Sequence, residues 1–247
     1  MRFLAQRFLN RLGYRIESRY PRDFTPEVIR VLEQVAPYTL TTPESIASVC
    51  ASVEYVVAHR IPGDIVECGV WRGGTMMAAA LTLQRLGAPD RELYLFDTYA
   101  GMSEPTDVDI SLDGRRAYDI WSQRRQAGGN EWCNVSLEEV ERAMRGTGYD
   151  PSRIHLVAGK VEDTLPGQAP DSISLLRLDT DWYESTLHEL VHLFPRISVG
   201  GVLILDDYGQ WRGARKAADE YFGENGVRIL LDRVDYTVRV GVKQAAG

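Results

Sequence analysis

Two short runs of aspartate, each at the end of an apolar segment, constrain the fold of this 247-residue chain more than any other feature. The apolar segments are Ile173 to Leu178 and Val202 to Leu205, and both are typical of strands buried on two faces. Between them, Tyr183 to Ile197 carries apolar residues at helical spacing. Strand, helix and strand in this order predict a βαβ unit with a right-handed crossover. We therefore predict an α/β fold, with a mostly parallel sheet and helices on both faces.

The aspartates would all lie at one edge of that sheet, because a βαβ unit brings the carboxyl ends of its two strands together. They are Asp179, Asp181, Asp206 and Asp207. Crowded carboxylates repel one another unless a cation lies among them, and oxygen ligands suit a hard divalent ion such as Mg2+. The alternative is a set of helix N-caps and strand-end turns, where aspartate is also favoured.

Composition narrows the class of protein. A chain of this length can form one large α/β domain with a buried core. Its net charge of -7 argues against a nucleic acid as the main partner, and no apolar run approaches the ~20 residues of a membrane span. The three cysteines are far apart and lack CxxC spacing, so neither a disulfide framework nor a thiolate metal site is indicated. We expect a cytoplasmic protein.

The first 36 residues are distinct, because their first two-thirds interleave arginine with apolar side chains. The charges leave no continuous apolar stretch, so the segment is not a secretory signal. A basic amphipathic helix could lie on an anionic membrane, whereas an apolar stripe more often packs on the protein body or on a second subunit. Pro21 and Pro26 would end this helix before a second amphipathic stretch, Glu27 to Val35.

A glycine-bearing turn between a strand and a helix indicates a nucleotide site. The apolar strand that ends at Glu67 and Cys68 continues into Gly69-x-x-x-Gly73-Gly74, followed by the helix-like Met76 to Leu86. The spacing departs from GxGxxG. Glu67 also places a negative charge where a pyrophosphate would bind, which favours a cationic or zwitterionic ligand such as S-adenosylmethionine. The alternative is a tight connection with no ligand, since glycine serves any such turn.

Two further strand ends carry acids. Asp97 follows the next strand, at the position where a carboxylate accepts hydrogen bonds from ribose hydroxyls; a turn-forming aspartate is the alternative. After a third strand, Glu162 or Asp163 could bind the exocyclic amine of an adenine, or could simply cap a helix.

Five blocks of the sequence resemble the macrocin O-methyltransferase family. They are Tyr38 to Glu44, Val66 to Gly74, Leu95 to Met102, Arg177 to Tyr183 and Leu205 to Tyr208. The resemblance extends from about Pro37 to the C-terminus. It implies a Rossmann-like class I methyltransferase fold, S-adenosylmethionine as cofactor, a required Mg2+ and methyl transfer to a sugar hydroxyl of a glycosylated natural product or saccharide.

The resemblance also implies roles for individual residues. Asp179, Asp206 and Asp207 would be the metal ligands, and Asp181 the general base. The residues implied in cofactor binding are Thr41, Thr42, Glu67, Gly69, Val70, Trp71, Arg72, Gly73, Gly74, Thr75, Asp97, Ser103, Glu162, Asp163 and Asp179. Family members form dimers, which favours residues 1–36 as a lid or dimer contact beside a methyltransferase domain over residues 37–247. We therefore expect a homodimer or a higher homo-oligomer.

Elementary chemistry agrees with these roles. A sugar hydroxyl is a poor nucleophile at neutral pH, and a bound metal lowers the pKa of a coordinated oxygen acid. Asp181, two residues beyond a proposed ligand, could then accept the proton.

The region from 102 to 136 is polar, lacks a clear period and contains several aromatic residues. A segment of this length without a predicted element is often a functional lid, and here it would select the sugar acceptor. A mobile surface insertion is the alternative.

Two other functions remain open at this point. A catechol-type O-methyltransferase acting on a phenolic small molecule also uses S-adenosylmethionine and a metal, but those enzymes typically carry a lysine base and an Asp-Asn ligand pair. This chain has Asp181 and Asp206-Asp207 at those places. The other alternative is a non-catalytic module that binds a metal or a nucleotide.

Overall fold

A seven-stranded sheet forms the centre of the protein in the computed structural model, which describes residues 20–126 and 129–245. The strands are β1 (Asp64–Cys68), β2 (Leu93–Asp97), β5 (Ile154–Ala158), β6 (Ile173–Leu178), β7 (Ile197–Leu205), β8 (Asp232–Arg233) and β9 (Arg239–Val242), and a separate two-stranded sheet pairs β3 (Arg125–Gln126) with β4 (Gly129–Asn130). The helices are α1 (Pro26–Val35), α2 (Pro43–Ala58), α3 (Gly74–Arg85), α4 (Ala117–Gln123), α5 (Leu137–Arg145), α6 (Val161–Thr164), α7 (Tyr183–Leu193) and α8 (Arg212–Glu224).

The strand order is β5-β2-β1-β6-β7-β9-β8, in which the first five strands are parallel and β9 runs antiparallel to both of its neighbours. This confirms the predicted α/β fold with a mostly parallel sheet. The register places Cys68 opposite Phe96 and Leu178, and Leu178 opposite Leu205. The residues that follow these strand ends therefore meet at one edge of the sheet.

Helices cover both faces of the sheet. Successive strand residues point to opposite sides, so each face has its own set of buried side chains. On one face, Ile65 and Leu175 pack in the core cluster that contains residues of α1, α2, α3 and α5. On the other face, Val66 and Leu176 pack with residues of α6, α7 and α8. Burial on two faces explains why these strands are continuous apolar runs in the sequence.

Two predicted boundaries on the crossover were wrong. The helix ends at Leu193 instead of Ile197, because Pro195 falls in a 3-10 turn from Phe194 to Arg196. Strand β7 begins at Ile197 instead of Val202. Its first half includes Val199, which is 60% exposed, so this half lacks the apolar run that identified the second half.

The N-terminal segment is only partly covered by the described residues. Its second amphipathic stretch is α1, whose Val31, Leu32 and Val35 are buried in the core. The arginine-rich helix predicted before Pro21 falls almost wholly on residues 1–19, which lie outside the described part of the chain. Among the described residues, no helix is both long and apolar enough to cross a membrane.

The polar region from 102 to 136 contains a short helix, α4, and the β3–β4 pair. It has a buried interior of its own, formed by Asp109, Trp121 and Asn130 among others. Its residues reach across to the start of α8, where Leu112 N donates to Gln210 O at 3.0 Å and Arg212 N donates to Ile110 O at 2.8 Å. We call residues 102–136 the mid-chain segment.

Candidate active site

The turn after β1 brings two backbone segments into close contact, which only glycine permits. Gly69 has a φ of +82°, and a Cβ atom there would lie 2.0 Å from the carbonyl oxygen of Asp179. A Cβ atom at Gly74 would lie 2.5 Å from the carbonyl oxygen of Tyr38. The turn therefore touches the end of β6 on one side and the chain before α2 on the other, so both glycines have a packing reason besides any contact with a ligand.

Asp97, at the end of β2, holds this turn in place. Its Oδ2 accepts hydrogen bonds from the backbone N–H groups of Val70 at 2.7 Å and Trp71 at 3.0 Å, and its Oδ1 accepts one from Tyr99 N at 2.9 Å. A carboxylate that accepts several N–H groups is fixed in orientation. The predicted ribose-binding acid thus also shapes the glycine turn.

A cavity of about 430 Å³ opens along this edge of the sheet. Fourteen of the predicted site residues line it: Thr41, Thr42, Gly69, Val70, Trp71, Gly74, Thr75, Asp97, Ser103, Glu162, Asp179, Asp181, Asp206 and Asp207. The glycine turn and all four aspartates of the two runs therefore share one cavity.

Four predicted cofactor residues lie outside the cavity wall. Arg72 is exposed and stacks on the ring of Trp71, with its guanidinium carbon 5.0 Å from the ring centroid. Gly73 is the N-cap of α3, with a φ of +86°, and Asp163 is exposed in the first turn of α6. The fourth, Glu67, is fully buried.

Glu67 faces other protein groups in this structure. Its Oε1 accepts hydrogen bonds from the Thr75 hydroxyl and from Arg177 Nη1. Burial raises the pKa of Glu67, and the adjacent Arg177 opposes this. The negative charge of Glu67, which was predicted to face the ligand, is therefore balanced by Arg177.

Three carboxylates form a group that could hold a metal ion. Asp179, Asp206 and Asp207 each offer an oxygen atom, and these atoms all lie within 4.8 Å of one another. The donor set consists of oxygen alone, which fits a hard cation such as Mg2+. Asp181 is tied to the same group, because its backbone N–H donates to Asp207 Oδ2 at 3.1 Å.

Arg177 lies among these acids, and no role was predicted for it. Its side chain is 6% exposed; Nη1 donates to Asp179 Oδ2 at 2.7 Å, and Nη2 donates to Asp206. Burial alone would lower the pKa of Arg177, but the carboxylates of Asp179, Asp206 and Glu67 outweigh it and raise that pKa. The signal in the sequence was an arginine within an otherwise apolar strand, where a buried charge requires partners.

One guanidinium balances only part of the negative charge. Burial, reinforced by the neighbouring acids, raises the pKa of Asp179 and Asp207 well above the ordinary value. Burial and then the charge of Asp179 raise the pKa of Asp181 to about 8. In the protein without a metal, these carboxylates therefore repel one another, which favours binding of a cation.

Three tryptophans form a wall beside the acids, which we call the tryptophan wall: Trp132, Trp182 and Trp211. Trp132 comes from the mid-chain segment and, with Trp211, lines the cavity. The indole N–H of Trp211 donates to Asp181 Oδ1 at 2.6 Å. Sequence patterns did not reveal this contact, because its two residues are thirty positions apart on different elements.

The mouth of the cavity is formed by two distant parts of the chain. Thr42 caps α2 by accepting a hydrogen bond from Ser45 N, and its hydroxyl donates to Asp235 Oδ2 at 2.5 Å. Leu40 and Tyr236 lie at this rim and are 75% and 62% exposed. The block from Tyr38 to Glu44 is thus joined to the turn before β9.

The fold has a close counterpart among solved structures. It superimposes on the O-methyltransferase NovP with a TM-score of 0.74, at 28% sequence identity, over 98% of this chain and 97% of that one. Together with the glycine turn and the acids of the cavity, this similarity defines a Rossmann-like, S-adenosylmethionine-dependent O-methyltransferase.

The sequence comparisons identify the family. Residues 32–240 match the model of the Macrocin-O-methyltransferase (TylF) family, and the chain belongs to that family. It is 33% identical to demethyldecarbamoylnovobiocin O-methyltransferase of Streptomyces niveus, over 80% of this chain and 72% of that one. It is 34% identical to a Streptomyces olivaceus enzyme, 8-demethyl-8-(2,3-dimethoxy-α-L-rhamnosyl)-tetracenomycin-C 4'-O-methyltransferase, over 75% and 67% of the two chains. The predicted family and enzyme class are confirmed.

Proposed function

We propose that this enzyme transfers the methyl group of S-adenosylmethionine to a hydroxyl group of a sugar, in a glycosylated natural product or a saccharide. The observation that carries the proposal is the shared cavity, in which the glycine turn, four aspartates and two tryptophans meet. Aromatic faces suit the apolar faces of a sugar ring, and carboxylates suit its hydroxyls. The rhamnosyl group in the name of the Streptomyces olivaceus relative supports the same class of acceptor.

We further propose that Asp179, Asp206 and Asp207 hold Mg2+. Their three carboxylate oxygens lie close enough to bind one ion, and Arg177 fixes two of the three side chains. When bound there, Mg2+ would lower the pKa of a coordinated hydroxyl.

The cofactor would occupy the other half of the cavity. Gly69, Asp97 and Glu162 all line the cavity. We propose that Asp97 accepts hydrogen bonds from the ribose and that Glu162 approaches the adenine. The sulfonium group supplies an electrophilic methyl, so no covalent enzyme intermediate is required.

Asp181 is the proposed general base. Its side chain lines the cavity beside the acid group and accepts a hydrogen bond through Oδ1, and we propose that Oδ2 takes the proton of the acceptor hydroxyl. The carbon–oxygen bond to the methyl group forms as the carbon–sulfur bond breaks. The products are the methyl ether, S-adenosylhomocysteine and a proton on Asp181.

The test is methyl transfer from radiolabelled S-adenosylmethionine to a panel of rhamnosyl and other glycosides, free saccharides and a catechol. We expect label in a sugar, with loss of transfer on chelation and recovery on addition of Mg2+. Transfer to the catechol alone would contradict the proposed acceptor. Full activity in the presence of a chelator would contradict the proposed metal.

The variant Asp181→Asn tests the base. We expect turnover to fall about 10²- to 10⁴-fold, the usual contribution of general base catalysis, while the Kd of S-adenosylmethionine changes little. Unchanged turnover would remove Asp181 from the mechanism.

Assembly as a homodimer, with residues 1–36 as a lid or dimer contact, remains a prediction. Sedimentation of the full chain beside a chain that begins at Tyr20 would test it. A monomeric full chain would contradict it.

A further inference from the structure

The indole N–H of Trp211 donates a hydrogen bond to the carboxyl group of Asp181, at 2.6 Å from Oδ1. An aspartate carboxylate rotates readily, because its terminal torsion is broad. An indole nitrogen donates and never accepts, so it can hold only an oxygen that is not itself the proton donor. The contact therefore holds Oδ1 of Asp181 and limits the rotation of its carboxyl group.

Trp211 is itself held firmly. Its side chain belongs to a residue that is 5% exposed, and its ring meets Trp182 edge-on at a centroid distance of 5.1 Å and Trp132 at 6.1 Å. On its backbone, Trp211 pairs with Ser111 of the mid-chain segment as an isolated β-bridge. The hydrogen bonds that flank this bridge, at Gln210 and Arg212, fix the residues on either side. A rigid donor of this kind transmits its position to the group that it binds.

We infer that Trp211 is a positioning residue for the general base: its indole N–H holds Asp181 with the second carboxylate oxygen turned toward the acceptor hydroxyl. The inference rests on the proposed role of Asp181. The mid-chain segment takes part indirectly, since its Ser111 forms the β-bridge that holds the backbone of Trp211. Misplacement of a reacting group by about 1 Å can lower a rate 10²-fold, so the effect of Trp211 belongs to turnover.

Trp132 provides a matched control. It lies in the same tryptophan wall and lines the same cavity. Within the described part of the chain, its indole nitrogen makes no hydrogen bond, whereas that of Trp211 binds Asp181. Replacement of either ring by phenylalanine removes similar packing, but only one replacement removes a donor to the base.

The kinetic test is a double-mutant cycle with Trp211→Phe, Asp181→Asn and the combined variant, beside Trp132→Phe. With the glycoside that accepts label in the panel, we expect Trp211→Phe to lower kcat roughly 10- to 100-fold while the KM of the cofactor stays within about twofold. In the Asp181→Asn background, the same change should have little further effect, because the group through which it acts is gone. Trp132→Phe should act mainly on the KM of the acceptor.

Three results would overturn the inference. An undiminished loss of kcat from Trp211→Phe in the Asp181→Asn background would mean that the ring acts independently of the base. An unchanged kcat in Trp211→Phe, with Asp181→Asn still impaired, would refute the inference and leave the proposed function standing. An active Asp181→Asn variant would refute the base itself, and the inference with it.

A second measurement needs no acceptor and no folded Trp211 variant. The chain has five tryptophans, so a nitrogen–proton NMR spectrum of the full chain should show five indole signals. In Asp181→Asn, we expect the Trp211 indole signal to move because its acceptor changes from a carboxyl to an amide group, while the Trp132 signal stays in place. A Trp211 signal that does not move would show that the contact is absent in solution.

Discussion

At Gly69, a single hydrogen atom in place of a side chain allows the cofactor turn to touch the end of β6. Alanine at this position would combine two costs: a left-handed backbone at φ +82° and a Cβ atom 2.0 Å from the Asp179 carbonyl oxygen. We expect Gly69→Ala to lower the free energy of unfolding by about 2–5 kcal/mol, from about 1–2 for the backbone and about 1–3 for the overlap. Urea unfolding followed by tryptophan fluorescence measures this.

Gly87 is the matched control for that substitution. It has a similar φ, +68°, but a Cβ atom there would meet nothing within 4 Å. Gly87→Ala should therefore cost only about 1–2 kcal/mol. Equal losses in the two variants would mean that the contact with Asp179 contributes nothing.

Single residues also show how far the sequence can lead. The position of aspartates after apolar runs was enough to predict that Asp179, Asp181, Asp206 and Asp207 lie at one edge of the sheet, and the structure places them there. Arg177 and Trp211 escaped prediction for different reasons. The partners of Arg177 come from two other strands, and Trp211 lies thirty positions from Asp181 on a different element.

Among the elements, α7 depends on a residue of the mid-chain segment. Asp109 is 1% exposed; its Oδ1 accepts a hydrogen bond from Tyr183 N, the first residue of α7, and its Oδ2 accepts two from Thr106. Asp109→Ala would leave these donors without a partner in a buried place. We expect a loss of about 2–4 kcal/mol in the free energy of unfolding, measured by urea denaturation.

A neighbouring aspartate separates this effect from a general effect of charge. Asp107 has a side chain that is 90% exposed and pairs with Arg116 at the surface. Asp107→Ala should change the free energy of unfolding by less than about 1 kcal/mol. If Asp109→Ala changed the free energy of unfolding as little as this, the proposed role of Asp109 in stabilising the start of α7 would be wrong.

The elements themselves were predicted unevenly. Strand β6 was predicted at its observed bounds, because all six of its residues are buried and bounded by polar residues. The elements of the mid-chain segment were not predicted, because the segment has no periodic pattern of its own and its Asp109, Ile110 and Leu112 are held by the start of α7 and by the residues at the start of α8. Local sequence cannot report a partner that lies about 70 residues away.

At the scale of the whole molecule, the proposed metal should stabilise the fold. A ligand that binds only the native state adds about 2.7 kcal/mol at 100 times its Kd, which is roughly 5–10 °C for a domain of this size. We expect Mg2+ to raise the melting temperature by this order in wild type. In Asp207→Asn, most of the increase should be lost, because one of the three carboxylates is gone.

Differential scanning calorimetry with and without Mg2+ checks this, and Asp107→Asn is the control for an exposed acid. The control should keep the full increase. A wild-type melting temperature that does not respond to Mg2+ would contradict the metal site, even if methyl transfer were found.

The order of the seven strands lies beyond what residue patterns alone can give. Apolar runs joined by a helical segment predicted a mostly parallel α/β sheet, but β9 contributes only four residues and runs antiparallel beside β7. Nothing in its sequence fixes that direction. β9 pairs antiparallel with β8, and the turn between these strands carries Asp235, which meets Thr42 at the cavity mouth.

The contact between Gly69 and the carbonyl of Asp179 has a consequence for recombining this enzyme with its relatives. The loop after β1 and the end of β6 are more than a hundred residues apart in sequence, yet neither can change shape without the other. A chimera that takes its first half from one parent and its second half from another must match at this junction, whatever the similarity elsewhere. Chimeras in which residues 69 and 179 come from the same parent should therefore fold more often than chimeras whose crossover falls between these two residues.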